Sequence, residues 1–180
     1  MELREYRIED YEIRSDGDGR TLEGICVPFD TETRIGNRYT EVIRRGAFAK
    51  TTQERAQRVK LLAMHDGQRL PLGAAQRLQE TDKGLLGEFR VSKTAAGDEA
   101  LELVRDGALD SFSIGFVPLR DNWNADKTYV ERAEVKLLEV SLVAFPAYED
   151  AKVLALRDND NTHQPKGMSL DLARRIAVTL

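Results

Sequence analysis

Cysteine, histidine and long apolar runs are all scarce in this sequence, and each scarcity excludes something. Cys26 is the only cysteine, so no internal disulfide can form and a reducing cytoplasm is the expected setting. His65 and His163 are the only histidines, and neither has a second His or a Cys at ligand spacing. A structural metal site is therefore not expected, and no cofactor is. No apolar stretch approaches the roughly 20 residues needed to span a bilayer, so a membrane is not an expected partner. The opening residues, MELREYRIEDYEIR, are charged throughout and lack the apolar core of a signal peptide. Basic residues are scattered and the net charge is −4, so the footprint of a nucleic-acid binder is missing.

What is present fits a globular domain. The chain has 180 residues, 41% of them hydrophobic and 32% charged, which is enough for one core with a tail. Alternation of apolar and polar residues predicts a strand over YRIEDYEI (6–13). SDGDGR is a turn by its Gly/Asp chemistry, and TLEGICVPF (21–29) is a second strand. TRIGNRYTEVI (33–43) is expected as a loop and a short extended piece, and GAFAKTTQERAQ (46–57) as a helix. VKLLAMH (59–65), LPLGAAQRLQET (70–81) and KGLLGEFRV (83–91) are strands. SKTAAGDEALELVRDG is a helix, capped by Ser92 or Thr94 and stopped by Gly107.

Two long strands, SFSIGFVPL (111–119) and TYVERAEVKLLEVSLVAF (128–145), flank a turn-rich connection, DNWNADK. Pro146 ends the second, with a short helix expected in AYEDAKVLAL. The polar segment from Asp158 reads as a linker before an amphipathic helix, SLDLARRIAVTL. The domain is thus expected over residues 1–157 and the linker and tail helix over 158–180. Many strands with few helices predict a β-rich α+β fold, its sheet mostly antiparallel and closed or partly closed into a barrel.

Three residues carry candidate chemistry. Phe112, Ile114 and Phe116 share one face of their strand, which puts Ser111, Ser113 and Gly115 on the other. A serine beside a glycine leaves room over its hydroxyl for a carbonyl; the plainer alternative is a small-residue face packed on a neighbour. Glu139 lies within an apolar run, and by strict alternation it shares a face with Leu137, Ser141 and Val143. A buried carboxylate needs a partner, either an arginine or a polar group of a site. His65 ends an apolar strand at a DG turn, where it is either a turn residue or a general base. A serine nucleophile needs a base, and the base needs an acid to fix its tautomer and support its cation. Glu139 suits that role. Asp66 is a poorer choice because adjacent side chains in extended chain point apart, and Asp110 and Glu134 stand in reserve.

Taken in order, LEGICVPFD with EVIRRGAF, LLAMHDGQRLPLG, DKGLLGEFRV, GDEALELVRDGALDSFSIGF and LLEVSLVAFPAYEDAKV resemble the bacteriophage prohead proteases over roughly residues 20 to 155. That family is similar in plan to the herpesvirus assembly proteases, which use a barrel and a serine with two histidines. The resemblance implies a serine endopeptidase that trims capsid protein or its scaffold segment, and possible self-cleavage. It places the enzyme inside the immature prohead in the host cytoplasm. It assigns His65 as base, Ser113 as nucleophile and Glu139 as the acid standing where the herpesvirus type has its second histidine. Ser111 is a rival nucleophile, set behind Ser113 because Gly115 follows Ser113 in the Ser-x-Gly-Phe motif. Arg45 stands where the family commonly has a proline before GAF. The major capsid protein precursor or scaffold is the implied substrate, and a homo-oligomer, a dimer by herpesvirus analogy, is the implied assembly. The oxyanion donors are expected at the start of AYEDAKV. The tail is expected as a docking element, a segment lost by self-cleavage, or an ordinary packed helix. The rival function is a non-catalytic capsid-assembly module of the same fold.

Overall fold

The computed structural model describes residues 1–7, 12–14 and 19–144. The expected helix after Pro146, the linker, the tail helix and His163 lie outside the described residues.

Among the described residues ten strands form one sheet. They are β1 (Glu2–Arg7), β2 (Glu12–Arg14), β3 (Thr21–Pro28), β4 (Thr33–Ile35), β5 (Tyr39–Ile43), β6 (Lys60–Ala63), β7 (Gly73–Glu80), β8 (Gly84–Val91), β9 (Ser111–Trp123) and β10 (Tyr129–Val143). The pairing path is β1-β9-β10-β6-β7-β8-β3-β2. β5 joins β10 on the same side as β6 but nearer the start of the strand, and β4 joins β5. Pairing is antiparallel except that β5 and β6 run parallel to β10. Among the described residues, β1 and β2 end the path without pairing to each other, so the sheet curls into a half-barrel and stays open. The curl is visible across its interior, where the rings of Phe89 on β8 and Phe112 on β9 approach to 5.6 Å although those strands are not neighbours in the sheet.

Helix α1 (Ala49–Glu54) and a 3₁₀ turn (Ala56–Arg58) link β5 to β6, and α2 (Ala95–Arg105) links β8 to β9. In α2 the Thr94 hydroxyl accepts the Gly97 N–H at 3.1 Å, which satisfies an orphan donor of the first turn. Gly97, Ala100, Leu101 and Val104, at helical spacing, form its buried face. Gly107, at φ +73°, supplies the left-handed step that stops it.

The expected elements differ in three places. The single strand over 6–13 is two, with β1 and β2 at opposite ends of the sheet path, because sheet position depends on partners that local alternation does not name. The segment 33–43 is a β-hairpin, β4 and β5. β9 runs on to Trp123, into the expected connection, because its partner β10 continues the ladder there, Val130 opposite Trp123.

Candidate active site

The site is assembled by β10, which lies between β9 and β6. Ser141 of β10 is opposite Ser113 of β9, and Glu139 is opposite Gly115. On the other side Glu139 is opposite Lys60 and Leu142 opposite Ala63. The hairpin partners β9 and β10, with β6 from much earlier in the chain, thus bring residues 113, 139 and 65 to one face.

A β-bulge between Leu137 and Glu139 decides which face that is. Leu137 packs in the core with Val140 and Leu142. Strict alternation would place Leu137 on the face of Glu139, and the extra residue reverses the parity. Phe112, Ile114 and Phe116 line the core as their alternation predicts, leaving Ser111, Ser113 and Gly115 on the opposite face. The bulge lets β10 be apolar toward the core on both sides of Leu138 and still direct Glu139 away from it.

His65 follows the end of β6. The Met64 N–H donates to the Leu142 carbonyl at 2.9 Å, and the Asp66 N–H to the Ala63 carbonyl at 2.9 Å. Met64 and His65 both have positive φ, +51° and +57°. Two positive φ values closed by such a hydrogen bond are the signature of a type I′ turn, which favours Gly, Asn or Asp. Placing Met and His there costs on the order of 1–3 kcal/mol per residue, a strain typical of functional sites.

The imidazole lies between two groups. Its Nδ1 is 2.7 Å from Glu139 Oε1, and its Nε2 contacts Ser113 Oγ. With a proton on Nδ1 donated to the carboxylate, Nε2 is the free base facing the hydroxyl. Glu139 is 5% exposed and Ser113 fully buried. The room expected over the serine is occupied differently: a Cβ on Gly115 would stand 2.1 Å from Glu139 Oε1. The glycine accommodates the carboxylate.

The alternatives are engaged elsewhere. Ser111 Oγ donates to Asp110 at 2.8 Å. Asp66 accepts the Gln68 N–H at 3.0 Å and pairs with Arg69. Glu134 lies opposite Arg120, well along the strand from Gly115. Among the described residues no cluster of His, Cys, Asp and Glu is arranged to hold a metal, and no helix is long and apolar enough to cross a membrane. The proposed oxyanion segment lies outside the described residues.

Two features of the site escaped the sequence. Ser141 Oγ donates to Glu139 Oε2 at 2.7 Å and accepts the His65 N–H at 3.1 Å. Its position two residues after Glu139 on the same face was the available signal. The second is β1, which pairs antiparallel with β9 so that Glu5 is opposite Ser113. Ser113 Oγ donates to the Arg4 carbonyl at 3.0 Å, so β1 covers the hydroxyl and competes with His65 Nε2 for its single proton. Only a tertiary pairing could reveal that.

The fold is that of a capsid protease: the chain is similar to the solved bacteriophage T4 capsid assembly protease gp21, with TM-score 0.58 and 15% identity over 80% of this chain and 96% of that one. By sequence it is similar to the prohead protease of Enterobacteria phage HK97, 26% identical over 157 residues, covering 85% of this chain and 68% of that protein. It is also similar to the prohead protease of Escherichia phage T5, 33% identical over 92 residues, covering 51% of this chain and 42% of that protein. The peptidase S78 family, described as caudovirus prohead serine protease, matches residues 9–165, and the chain belongs to that family.

Proposed function

We propose that this protein is a serine endopeptidase of prohead maturation in which Ser113 is the nucleophile, His65 the general base and Glu139 the residue that orients it. The observation that carries this reading is the unbroken hydrogen-bonded row Ser113–His65–Glu139 on one face of the sheet. Family membership supplies the class of reaction, and the row supplies groups able to perform it.

Ser113 Oγ attacks the scissile carbonyl while His65 Nε2 takes its proton. Glu139 accepts the Nδ1–H and supports the imidazolium that forms. The tetrahedral intermediate collapses, and the departing amine takes the proton from Nε2. Water then attacks the acyl ester, giving a proton to Nε2. Ser113 leaves as its oxygen regains that proton, and the acid product departs. In the described state Ser113 is buried under β1, so β1 must move aside before a substrate carbonyl can reach it.

The substrate in this reading is a capsid protein precursor or its scaffold segment, cut inside the immature prohead by a homo-oligomer of the chain. Kinship with herpesvirus assembly proteases belongs to the same proposal, Glu139 replacing the second histidine of that type. Ser113→Ala should abolish cleavage of a co-expressed capsid precursor, a loss on the order of 10⁶ in turnover, with the fold unchanged. Processing retained by that variant would remove Ser113 from the mechanism.

The burial of Ser113 favours a second reading, a non-catalytic assembly module of the same fold. A fluorophosphonate probe that labels wild-type Ser113 rejects it.

A further inference from the structure

We propose that Ser141 is a positioning residue for the hydrolytic reaction, its hydroxyl locking the Glu139 carboxylate and the His65 backbone into one arrangement. The inference rests on the reading of the site given above and names a residue which that reading does not need in order to be stated.

Ser141 is fully buried, and its single hydroxyl is used in both directions. Its proton goes to Glu139 Oε2, and its oxygen receives the His65 N–H. A serine hydroxyl has one donor and two acceptor sites, so both bonds can form at once. The carboxylate is therefore gripped at both oxygens, by Nδ1 of His65 on Oε1 and by Ser141 on Oε2. Gly115 lies directly against it, close enough that a Cβ would collide with Oε1. Among the described residues no arginine or lysine bonds to Glu139, so Ser141 is the donor besides His65 that holds the acid in line with the ring.

The second bond acts on the base. His65 sits in the left-handed region at φ +57°, where its ring direction depends on holding a strained backbone. The His65 N–H bond to Ser141 ties that backbone to β10 at the position opposite Ser113. One side chain thus fixes the acid and the peptide bearing the base, both relative to the nucleophile's strand. Misplacement of a reacting group by about 1 Å can cost on the order of 100-fold in rate, which sets the expected size of the effect.

A buried serine that serves only packing would show none of the coupling this predicts. The test uses the full chain with two readouts. The first is the far-downfield imidazole N–H proton resonance of His65 in its bond to Glu139, assigned by its loss in His65→Ala; the chain has only two histidines. The second is the rate at which a fluorophosphonate probe labels Ser113. Ser141→Ala should shift or broaden the resonance and slow labelling by about 100-fold. In a Glu139→Gln background the same substitution should cost clearly less than this, because the carboxylate half of the role is already gone and only the His65 N–H bond remains to be lost. Ser141→Cys, close in shape and a weak donor, should reproduce the loss if Ser141→Ala fails to fold. An unchanged resonance, or a full and additive loss in the Glu139→Gln background, overturns the proposal. Wild-type protein that never labels at Ser113, yet loses the resonance in Ser141→Ala, sinks the hydrolytic reading while the geometric role of Ser141 survives.

Discussion

At the scale of single residues the site depends on small groups placed against large ones. Gly115 is the clearest case. An alanine there puts a Cβ at 2.1 Å from Glu139 Oε1 and 2.9 Å from its Cδ. The carboxylate must leave its place beside His65, because the alanine methyl is fixed to the backbone of a paired strand. Gly115→Ala should therefore slow Ser113 labelling by on the order of 100-fold while the sheet still forms, checked by the far-ultraviolet spectrum and the probe rate together. Glu139→Gln keeps the shape and removes the charge. It should lower turnover by about 10⁴, as loss of the orienting acid does in a serine triad. A rate close to wild type would mean that the buried carboxylate serves the fold alone.

At the scale of elements β1 is decisive. It occupies the free edge of β9, and its Arg4 carbonyl reaches the Ser113 hydroxyl. Its hold comes partly from the Arg4 side chain. Arg4 Nε is 2.5 Å from Glu41 Oε1, Nη2 is 3.0 Å from Oε2, and Nη2 is 3.0 Å from the Tyr39 hydroxyl. Burial alone would push the Arg4 pKa down, but the hydrogen bond and charge of Glu41 outweigh it and raise it, so the guanidinium stays ionised. A charged hydrogen bond is worth about 1.5–3 kcal/mol, or roughly one to two powers of ten in the population of an opened strand. Arg4→Ala should accordingly raise the rate of Ser113 labelling by about ten-fold or more. A slower or unchanged rate would show that β1 does not control access.

At the scale of the whole molecule, the buried ionic cluster joins the N-terminal strand to the middle of the sheet. Arg132 is 1% exposed and bonds Glu41 Oε2, Asp121 Oδ2 and Glu2 Oε2, each at 2.6 Å. Burial opposes its charge, but Glu41, Glu2 and Asp121 raise its pKa above the ordinary arginine value. Removing one member strands the others. Arg132→Met leaves the fully buried Glu41 with Arg4 alone and takes the cation from Asp121, at a cost of about 3–5 kcal/mol. In a domain of this size that corresponds to a fall on the order of 10 °C in melting temperature. Thermal and urea unfolding would check it, and a change below about 1 kcal/mol would mean the cluster is dispensable.

Strands and helices were legible wherever a pattern is local: the alternation of Phe112, Ile114 and Phe116 and the Gly107 stop reappear, and of the two candidate caps, Ser92 and Thr94, it is Thr94 that caps the helix. The sequence also marked Glu139 as a carboxylate in need of a partner, because burying a charge is costly wherever the chain does it. The partner and the face came from long-range pairing. The bulge after Leu137 reversed the alternation, the positive φ at Met64 and His65 turned the ring, and the β9–β10 register set Ser141 opposite Ser113. The cover over Ser113 depended on β1 finding β9 across more than a hundred residues. Local spacing encodes which side chains share a face of one strand. Which strands become neighbours, and in what register, follows from the closure of the core as a whole.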